Sequence, residues 1–143
     1  MINKLKINEK IILVTGSSSG IGRAICEKLI EDGAFVIASA RNLERLESLK
    51  KSVSCPERLA IEVRDVSENT SALNKWILNL SEKYGKLNGA VLSAGIQEIK
   101  PIRSVSEEDL HNIFKINFDA NYWMAKGFCD KRVNAGAGSS LVF

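Results

Sequence analysis

The sequence predicts an α/β fold in which a doubly wound parallel sheet, with strand order 3-2-1-4-5, lies between two layers of helices. Short apolar runs alternate with helical patterns along all 143 residues, and that alternation is typical of βαβ units. The runs are nearly all apolar, as parallel strands covered on both faces should be. Right-handed crossovers fix the hand of each unit. The length suits a single domain over residues 1–143 with one core.

The first predicted strand, Lys10–Thr15, runs through a glycine-rich turn, TGSSSGIG at 15–22, into the first helix. That helix is predicted over Gly20–Asp32, and Gly33 follows where a helix-ending glycine belongs. Apolar residues at helical spacing predict its inward face. These residues are Ile21, Ile25 and Leu29.

The remaining elements follow from the same patterns and from capping residues. Asn42 is predicted to cap the second helix, Ser67 the third, and Ser106 with Asp109 a capping box on the fourth. The third helix should turn Leu73, Ile77, Leu80 and Tyr84 inward. The last helix should carry Phe118, Tyr122, Ala125 and Cys129 on one face, which lacks its usual cover in this chain. The predicted strands are Phe35–Ser39, Leu59–Val63, Gly89–Ser93 and Ser140–Phe143, and the predicted helices are Leu43–Val53, Glu68–Tyr84, Glu107–Lys115 and Asn117–Val133.

The turn between the first strand and the first helix has the chemistry of an anion-binding loop. Gly16 lets the chain leave the strand in a conformation closed to residues with a Cβ. Gly20 permits close approach of a ligand, and Gly22 permits tight packing of the helix on the sheet. The free N–H groups of the first helical turn would then face a pyrophosphate. A flexible turn with no ligand is the alternative.

Composition and charge exclude several other classes of protein. The net charge of +3 is too small to indicate nucleic-acid binding. No stretch has the length and hydropathy of a membrane span or a signal peptide, so we expect a cytoplasmic protein. Three cysteines without a C-x-x-C motif indicate reduced structural thiols. The single histidine, His111, has no second ligand at metal-binding spacing, and we expect no metal site.

Arg41 follows the second strand, and it indicates which dinucleotide this edge would bind. An acidic residue usually binds the ribose 2′-hydroxyl of NAD at this point, but this chain has Ala40 followed by Arg41. A guanidinium group can hold a 2′-phosphate through two hydrogen bonds. We therefore predict that NADP(H) is preferred over NAD(H). A solvated arginine beside Arg45 is the alternative.

The motif T-G-x-x-x-G-I-G resembles the cofactor loop of the short-chain dehydrogenases/reductases, and the resemblance extends over nearly the whole chain. It implies a Rossmann-type fold and hydride transfer between a nicotinamide and a carbonyl or alcohol, in a branch similar to the 3-oxoacyl reductases. It also implies that Asp65-Val66 contacts the adenine, where a helix-capping aspartate is the alternative. The family usually has Asn-Asn-Ala-Gly after its fourth strand, where this chain has Leu92, Ser93, Ala94 and Gly95. The lost amide puts some hydrogen bonds that brace the sheet in doubt.

The resemblance also assigns a catalytic role to Asn117, at a local distortion of its helix, where it would hold a water of the proton relay. A helix-breaking or capping asparagine is the alternative. The family's serine, tyrosine and lysine follow strand five, so we expect them beyond Phe143 and expect the chain to be the N-terminal part of a longer protein. Tyr122 and Lys126 form a literal Y-x-x-x-K, but they lie before strand five, whereas the family's pair follows it, and we interpret them as a core tyrosine and a surface lysine.

Taken together, the residues predict the cofactor-binding part of an NADP(H)-dependent oxidoreductase acting on a small carbonyl or alcohol, without its catalytic part. The full-length form is expected to be a homodimer or homotetramer. A non-catalytic nucleotide-binding or interaction module is the alternative. The predicted cofactor ligands are Gly16, Ser17, Ser18, Ser19, Gly20, Ile21, Gly22, Arg41, Asp65, Val66, Ser93, Ala94 and Gly95.

Overall fold

A computed structural model describes residues 7–143, which form one parallel five-stranded sheet flanked by helices. The strand order β3-β2-β1-β4-β5 confirms the predicted topology. The strands are β1 (Ile11–Thr15), β2 (Phe35–Ala40), β3 (Leu59–Val63), β4 (Gly89–Leu92) and β5 (Ser140–Val142). The helices are α1 (Gly20–Glu31), α2 (Leu43–Ser52), α3 (Leu73–Tyr84), α4 (Glu107–Phe114) and α5 (Asn121–Phe128), with a π-helical turn over Lys115–Ala120 and short 3₁₀ turns at Pro56–Arg58, Thr70–Ala72 and Ile102–Ser104.

The hydrophobic core has two parts, one on each face of the sheet. Along β1 the alternation of side chains sends Leu13 into one part and Ile12 and Val14 into the other. Helices α1 and α2 cover one face, and α3 with α5 covers the other. The carboxyl ends of β1, β2, β3 and β4 therefore meet at one uncovered edge.

Helix α1 turns a different row of residues inward from the row that the spacing predicted. Gly22, Cys26 and Ile30 are buried, whereas Ile21 is 77% exposed. Gly22 packs so tightly against the Gly16 carbonyl and Ser93 Oγ that a Cβ has no room, and the row that begins at Gly22 is the buried one. Ile25 packs only at the margin of the core. Burial raises the pKa of the Cys26 thiol to about 11.

Helix α3 begins five residues later than predicted. The prediction that Ser67 caps the helix is wrong, because its backbone N–H and its hydroxyl both donate to Asp65 Oδ1, at 2.9 and 2.7 Å. A turn closed by the hydrogen bond from Glu68 N to Asp65 O, followed by the 3₁₀ turn Thr70–Ala72, precedes α3 where the start of the helix was predicted. The inward face of α3 is confirmed for Leu73, Ile77 and Leu80, which are buried, and Tyr84 is half-buried.

The two helices predicted at the end of the chain form one continuous rod, α4 to α5, joined through the π-helical turn. The face that carries Phe118, Tyr122 and Cys129 is exposed: Phe118 and Tyr122 are 61% and 53% exposed, and Cys129 is exposed as well. Ala120, Met124 and Phe128 are the residues that pack into the core. A π-turn adds one residue to a helical turn and so rotates the residues after it relative to those before it. Because of that rotation, helical spacing alone does not predict which residues of α5 are buried, and Tyr122 is exposed although it was interpreted as a core residue.

Two of the predicted caps are present. Asn42 Oδ1 accepts from Arg45 N at 2.9 Å at the start of α2. Ser106 and Asp109 form the capping box of α4, each side chain accepting from the other's backbone N–H. Within residues 7–143, none of the helices has both the length and the apolar character needed to cross a bilayer.

Candidate cofactor site

An open cleft of about 860 Å³ lies at the carboxyl edge of the sheet, where the strand order reverses between β1 and β4. Ligands of open α/β sheets bind at this kind of switch point. The cleft brings together the ends of four strands and the glycine-rich turn. Its lining residues include Gly16, Ser18, Ser19, Gly20, Ile21, Gly22, Arg41, Asp65, Val66, Ser93, Ala94 and Gly95, twelve of the thirteen predicted ligands, and also Ser39, Asn42, Arg45 and Arg64.

The three glycines of the turn lie in three different environments. Gly16 has φ +69°, and a Cβ there would lie 2.9 Å from the backbone of Ser93 and Ala94. A Cβ on Gly22 would collide with the Gly16 carbonyl and lie 2.7 Å from Ser93 Oγ. A Cβ on Gly20, which has φ +54°, would meet nothing within 4 Å. The turn is therefore packed tightly against β4 on one side and open on the other.

The start of α1 carries unused donors toward that open side. Within the described part of the chain, the cap residue Ser19 accepts no side-chain hydrogen bond from α1, and no acidic residue stands in the first turn. The first N–H groups of a helix have no intrahelical partner, and the helix dipole favours an anion at this end. The turn thus has the geometry and the charge of a diphosphate cradle.

Ser17 differs from the other two serines of the turn. It is fully buried; its hydroxyl donates to Val14 O at 2.5 Å and accepts from Ser39 N at 3.1 Å. The side chain therefore ties the end of β1 to β2 and does not face the cleft. The prediction that its hydroxyl serves the cofactor is corrected accordingly, while Ser18 and Ser19 line the cleft.

Ser93 replaces part of the bracing that an asparagine would supply at the end of β4. Its hydroxyl donates to Thr15 O at 2.5 Å, and Ala94 N donates to Thr15 Oγ1 at 3.2 Å. These two bonds hold the ends of β1 and β4 together beneath the cleft. Thr15 was not predicted to have this role, since nothing near it in sequence shows which residue its hydroxyl would meet.

Positive side chains dominate the edge of the cleft next to β2 and β3. Arg64 N donates to Ala40 O at 3.0 Å, so the residue after β3 lies beside the residues that end β2. Hydrogen bonds from Ser67 lower the pKa of Asp65 most, and the guanidinium groups of Arg41 and Arg64 lower it further. Asp65 is therefore an ionised acceptor at this edge. Arg45 and Arg64 were not predicted as site residues, although the position of Arg64 directly after a strand was the available signal.

Asn117 lies in the π-helical turn, so the helical distortion implied by the resemblance is present. Its side-chain amide pairs with the backbone of Ile96: Asn117 Nδ2 donates to Ile96 O, and Ile96 N donates to Asn117 Oδ1, both at 2.8 Å. The backbone carbonyl oxygen of Asn117 accepts from Asn121 Nδ2 at 2.9 Å. The side chain thus fixes the loop after β4 to the helix that follows it.

Tyr122 and Lys126 lie away from this cleft. Tyr122 packs edge-on against Trp123, and Lys126 Nζ lies over the ring of Trp123, 4.8 Å from its centroid. Their side chains therefore make contacts typical of a helix surface, and the interpretation of Tyr122 as a core residue is wrong. Among residues 7–143, no group of three His, Cys, Asp or Glu side chains is arranged to hold a metal ion.

Comparison with known proteins places this geometry in a family. The model of the short chain dehydrogenase family matches residues 10–143. An uncharacterized oxidoreductase of Listeria monocytogenes is 34% identical over 79% of this chain and 46% of its own length. An NADP-dependent (R)-specific alcohol dehydrogenase of Lentilactobacillus kefiri is 26% identical over 96% of this chain and 54% of its own length.

Solved structures share the architecture as well. A short-chain dehydrogenase/reductase from Brucella melitensis, described as a glucose/ribitol dehydrogenase, superposes with a TM-score of 0.77 at 30% identity, over 85% of this chain and 51% of its own. The chain spans about half the length of the curated relatives that it matches. With the glycine-rich turn, the switch-point cleft and the strand order in agreement, the chain belongs to the short-chain dehydrogenase family of oxidoreductases.

Proposed function

We propose that this chain binds NADP(H) in preference to NAD(H), as the cofactor-binding part of an oxidoreductase that acts on a small carbonyl or alcohol. The observation that carries the proposal is that the N-terminus of α1, which has no side-chain cap, and Arg41 line the same cleft. The alcohol dehydrogenase of Lentilactobacillus kefiri, which is NADP-dependent by name, supports the same choice.

The residues present fit a dinucleotide. The open side of Gly20 and the amides that begin α1 accommodate a diphosphate. Asp65 lies where an ionised carboxylate would accept from an adenine amino group, and Ala40 leaves room beside Arg41 for a 2′-phosphate. Ala94 and Gly95 offer backbone without large side chains at the nicotinamide end of the cleft. The nicotinamide supplies or takes the hydride when it is bound.

Asn117 is proposed to serve the proton relay through its place in the π-helical turn. Because its side chain is held by Ile96, a water would have to be held by its backbone, where Asn121 already donates to the carbonyl oxygen. The serine, tyrosine and lysine that the family uses are proposed to follow strand five. We expect the 143-residue chain to bind NADP(H) only weakly and not to reduce ketones.

The test is a comparison of the dissociation constants for NADPH and NADH with the chain as it stands. Nucleotide fluorescence or calorimetry should give tighter binding of NADPH, and Arg41→Gln should remove most of the difference while changing NADH binding little. Arg132→Gln is the matched control, because Arg132 pairs with Asp130 and does not line the cleft. Equal or tighter binding of NADH by the unaltered chain would reject the preference.

The full-length form is proposed to self-associate in the cytoplasm as a dimer or tetramer. Four apolar residues at helical spacing are exposed along the α4–α5 rod, namely Leu110, Phe114, Phe118 and Tyr122. An exposed stripe of this kind is typical of an interaction surface. Sedimentation of the full-length form as a monomer at micromolar concentration would contradict this proposal.

A further inference from the structure

The edge of the cleft between β2 and β3 carries more positive charge than one arginine explains. Arg41, Arg45 and Arg64 all line it, and within residues 7–143 Asp65 is the only acidic residue among the lining residues. None of the three arginines forms an ion pair with an acidic side chain of the described residues 7–143. Unpaired guanidinium groups gathered at one edge of a cleft favour a ligand group with more than a single negative charge.

Arg64 has the geometry of a second ligand beside Arg41. Strands β2 and β3 are parallel neighbours with Ala40 opposite Val63, so Arg41 and Arg64 each follow one of two paired residues. The hydrogen bond from Arg64 N to Ala40 O extends this pairing one step past the strands. The two arginines therefore emerge side by side from adjacent strands.

The guanidinium group of Arg64 is only partly satisfied within the described chain. Its Nη2 donates to Glu68 O at 3.0 Å, while its Nε is buried without a partner. The hydrogen bond to Glu68 O fixes the orientation of the group. A buried donor without a partner is uncommon in a folded protein, but the buried Nε is closed to a ligand in the cleft. Nη1 makes no hydrogen bond with the described residues and is the donor available to a further acceptor. Arg45, in the first turn of α2, is exposed, and its guanidinium group makes no hydrogen bond with the residues that the structure describes.

We propose that Arg64 is a second ligand of the 2′-phosphate, so that this phosphate is held between the end of β2 and the end of β3. The inference deepens the proposed preference for NADP(H) and depends on it. A phosphate monoester carries close to two negative charges at neutral pH. Two guanidinium groups would therefore neutralise it, where Arg41 alone would leave one charge unmatched.

The experiment measures the affinity of the intact 143-residue chain for adenosine 2′,5′-bisphosphate and for 5′-AMP, by calorimetry at fixed ionic strength. These two probes differ only in the 2′-phosphate and need no catalytic residues. Arg64→Gln should weaken binding of the bisphosphate about tenfold and that of 5′-AMP less than twofold, as expected for loss of a hydrogen bond between charged groups. Arg64→Lys should weaken binding of the bisphosphate about threefold, because lysine keeps the charge and loses the fork geometry of the guanidinium group. The control, Arg132→Gln, should change the affinity for neither probe.

The possible results separate the two proposals. If Arg64→Gln leaves bisphosphate binding within twofold, or weakens both probes equally, Arg64 only anchors its loop and the inference is overturned. If the unaltered chain does not prefer the bisphosphate, or Arg41→Gln does not reduce that preference, the NADP(H) proposal fails, and the inference about Arg64 fails with it. Circular dichroism identifies a variant that does not fold, and the lysine variant then decides the question.

Discussion

Gly22→Ala tests whether close packing between α1 and the end of β4 is what shapes the cleft. A Cβ at this position would collide with the carbonyl of Gly16 and lie 2.7 Å from Ser93 Oγ. Real Cβ atoms do not approach other heavy atoms this closely, and one of the obstacles is backbone that cannot rotate away. The start of α1 must therefore shift outward from the sheet.

The cost of this shift follows from the packing. Forcing one extra carbon into a well-packed site costs about 1–3 kcal/mol. For a chain of this size, each kcal/mol lowers Tm by about 3–4 °C, so we expect a decrease of about 3–12 °C. Because the helix amides move with α1, affinity for 5′-AMP should fall in the folded protein as well.

The assay combines thermal unfolding followed by circular dichroism with calorimetric titration of 5′-AMP. Gly89→Ala is the matched control, since a Cβ there would make ordinary contacts at 3.5 Å and beyond. That variant should unfold within 2 °C of the unaltered chain. A Gly22→Ala variant that unfolds at the original temperature and binds 5′-AMP as before would refute the argument that this contact holds the cradle in place.

Two further predictions concern side chains that the cleft does not use directly. Ser17→Ala should lower the free energy of unfolding by about 1–3 kcal/mol, because the buried N–H of Ser39 loses its acceptor. The same variant should bind 5′-AMP within twofold of the unaltered chain. A loss of affinity without a loss of stability would show that Ser17 contacts the nucleotide. For Asp109, the Lys100 ammonium and the Ser106 amide lower the pKa of the carboxyl from 3.8 to about 2. A lowered pKa in the folded state gives stability that is present above pH 4 and is lost as the pH falls toward 2. Asp109→Asn should therefore make the free energy of unfolding, measured by chemical denaturation, depend less on pH between 4 and 2. An unchanged pH dependence would contradict the assignment.

The loop after β4 lines the cleft and carries exposed apolar side chains farther along. Asn117 fixes this loop to the α4–α5 rod, and its residues Gly95 and Ile96 line the cleft. Ile99 and Ile102 are 85% and 89% exposed on the same loop.

The sequence alone determined the order of the elements, the strand topology, two of the three predicted helix caps and the glycine-rich turn. Each of these depends on residues close together in the chain or on rules that every parallel α/β sheet obeys. The capping box at Ser106, for example, needs only the residue three positions later. The strand order needs only alternating elements and right-handed crossovers.

Only the tertiary structure decided which faces are buried and which side chains meet. Gly22 is part of the inward row of α1, and after the π-turn at Asn117 the residue Tyr122 is exposed, so regular spacing did not predict which residues these helices bury. The bond between Ser93 and Thr15 joins residues far apart in sequence, and Arg64 lies beside Arg41 only because their strands pair. Such contacts depend on how elements dock, and docking is determined by the whole core rather than by any one segment of the chain.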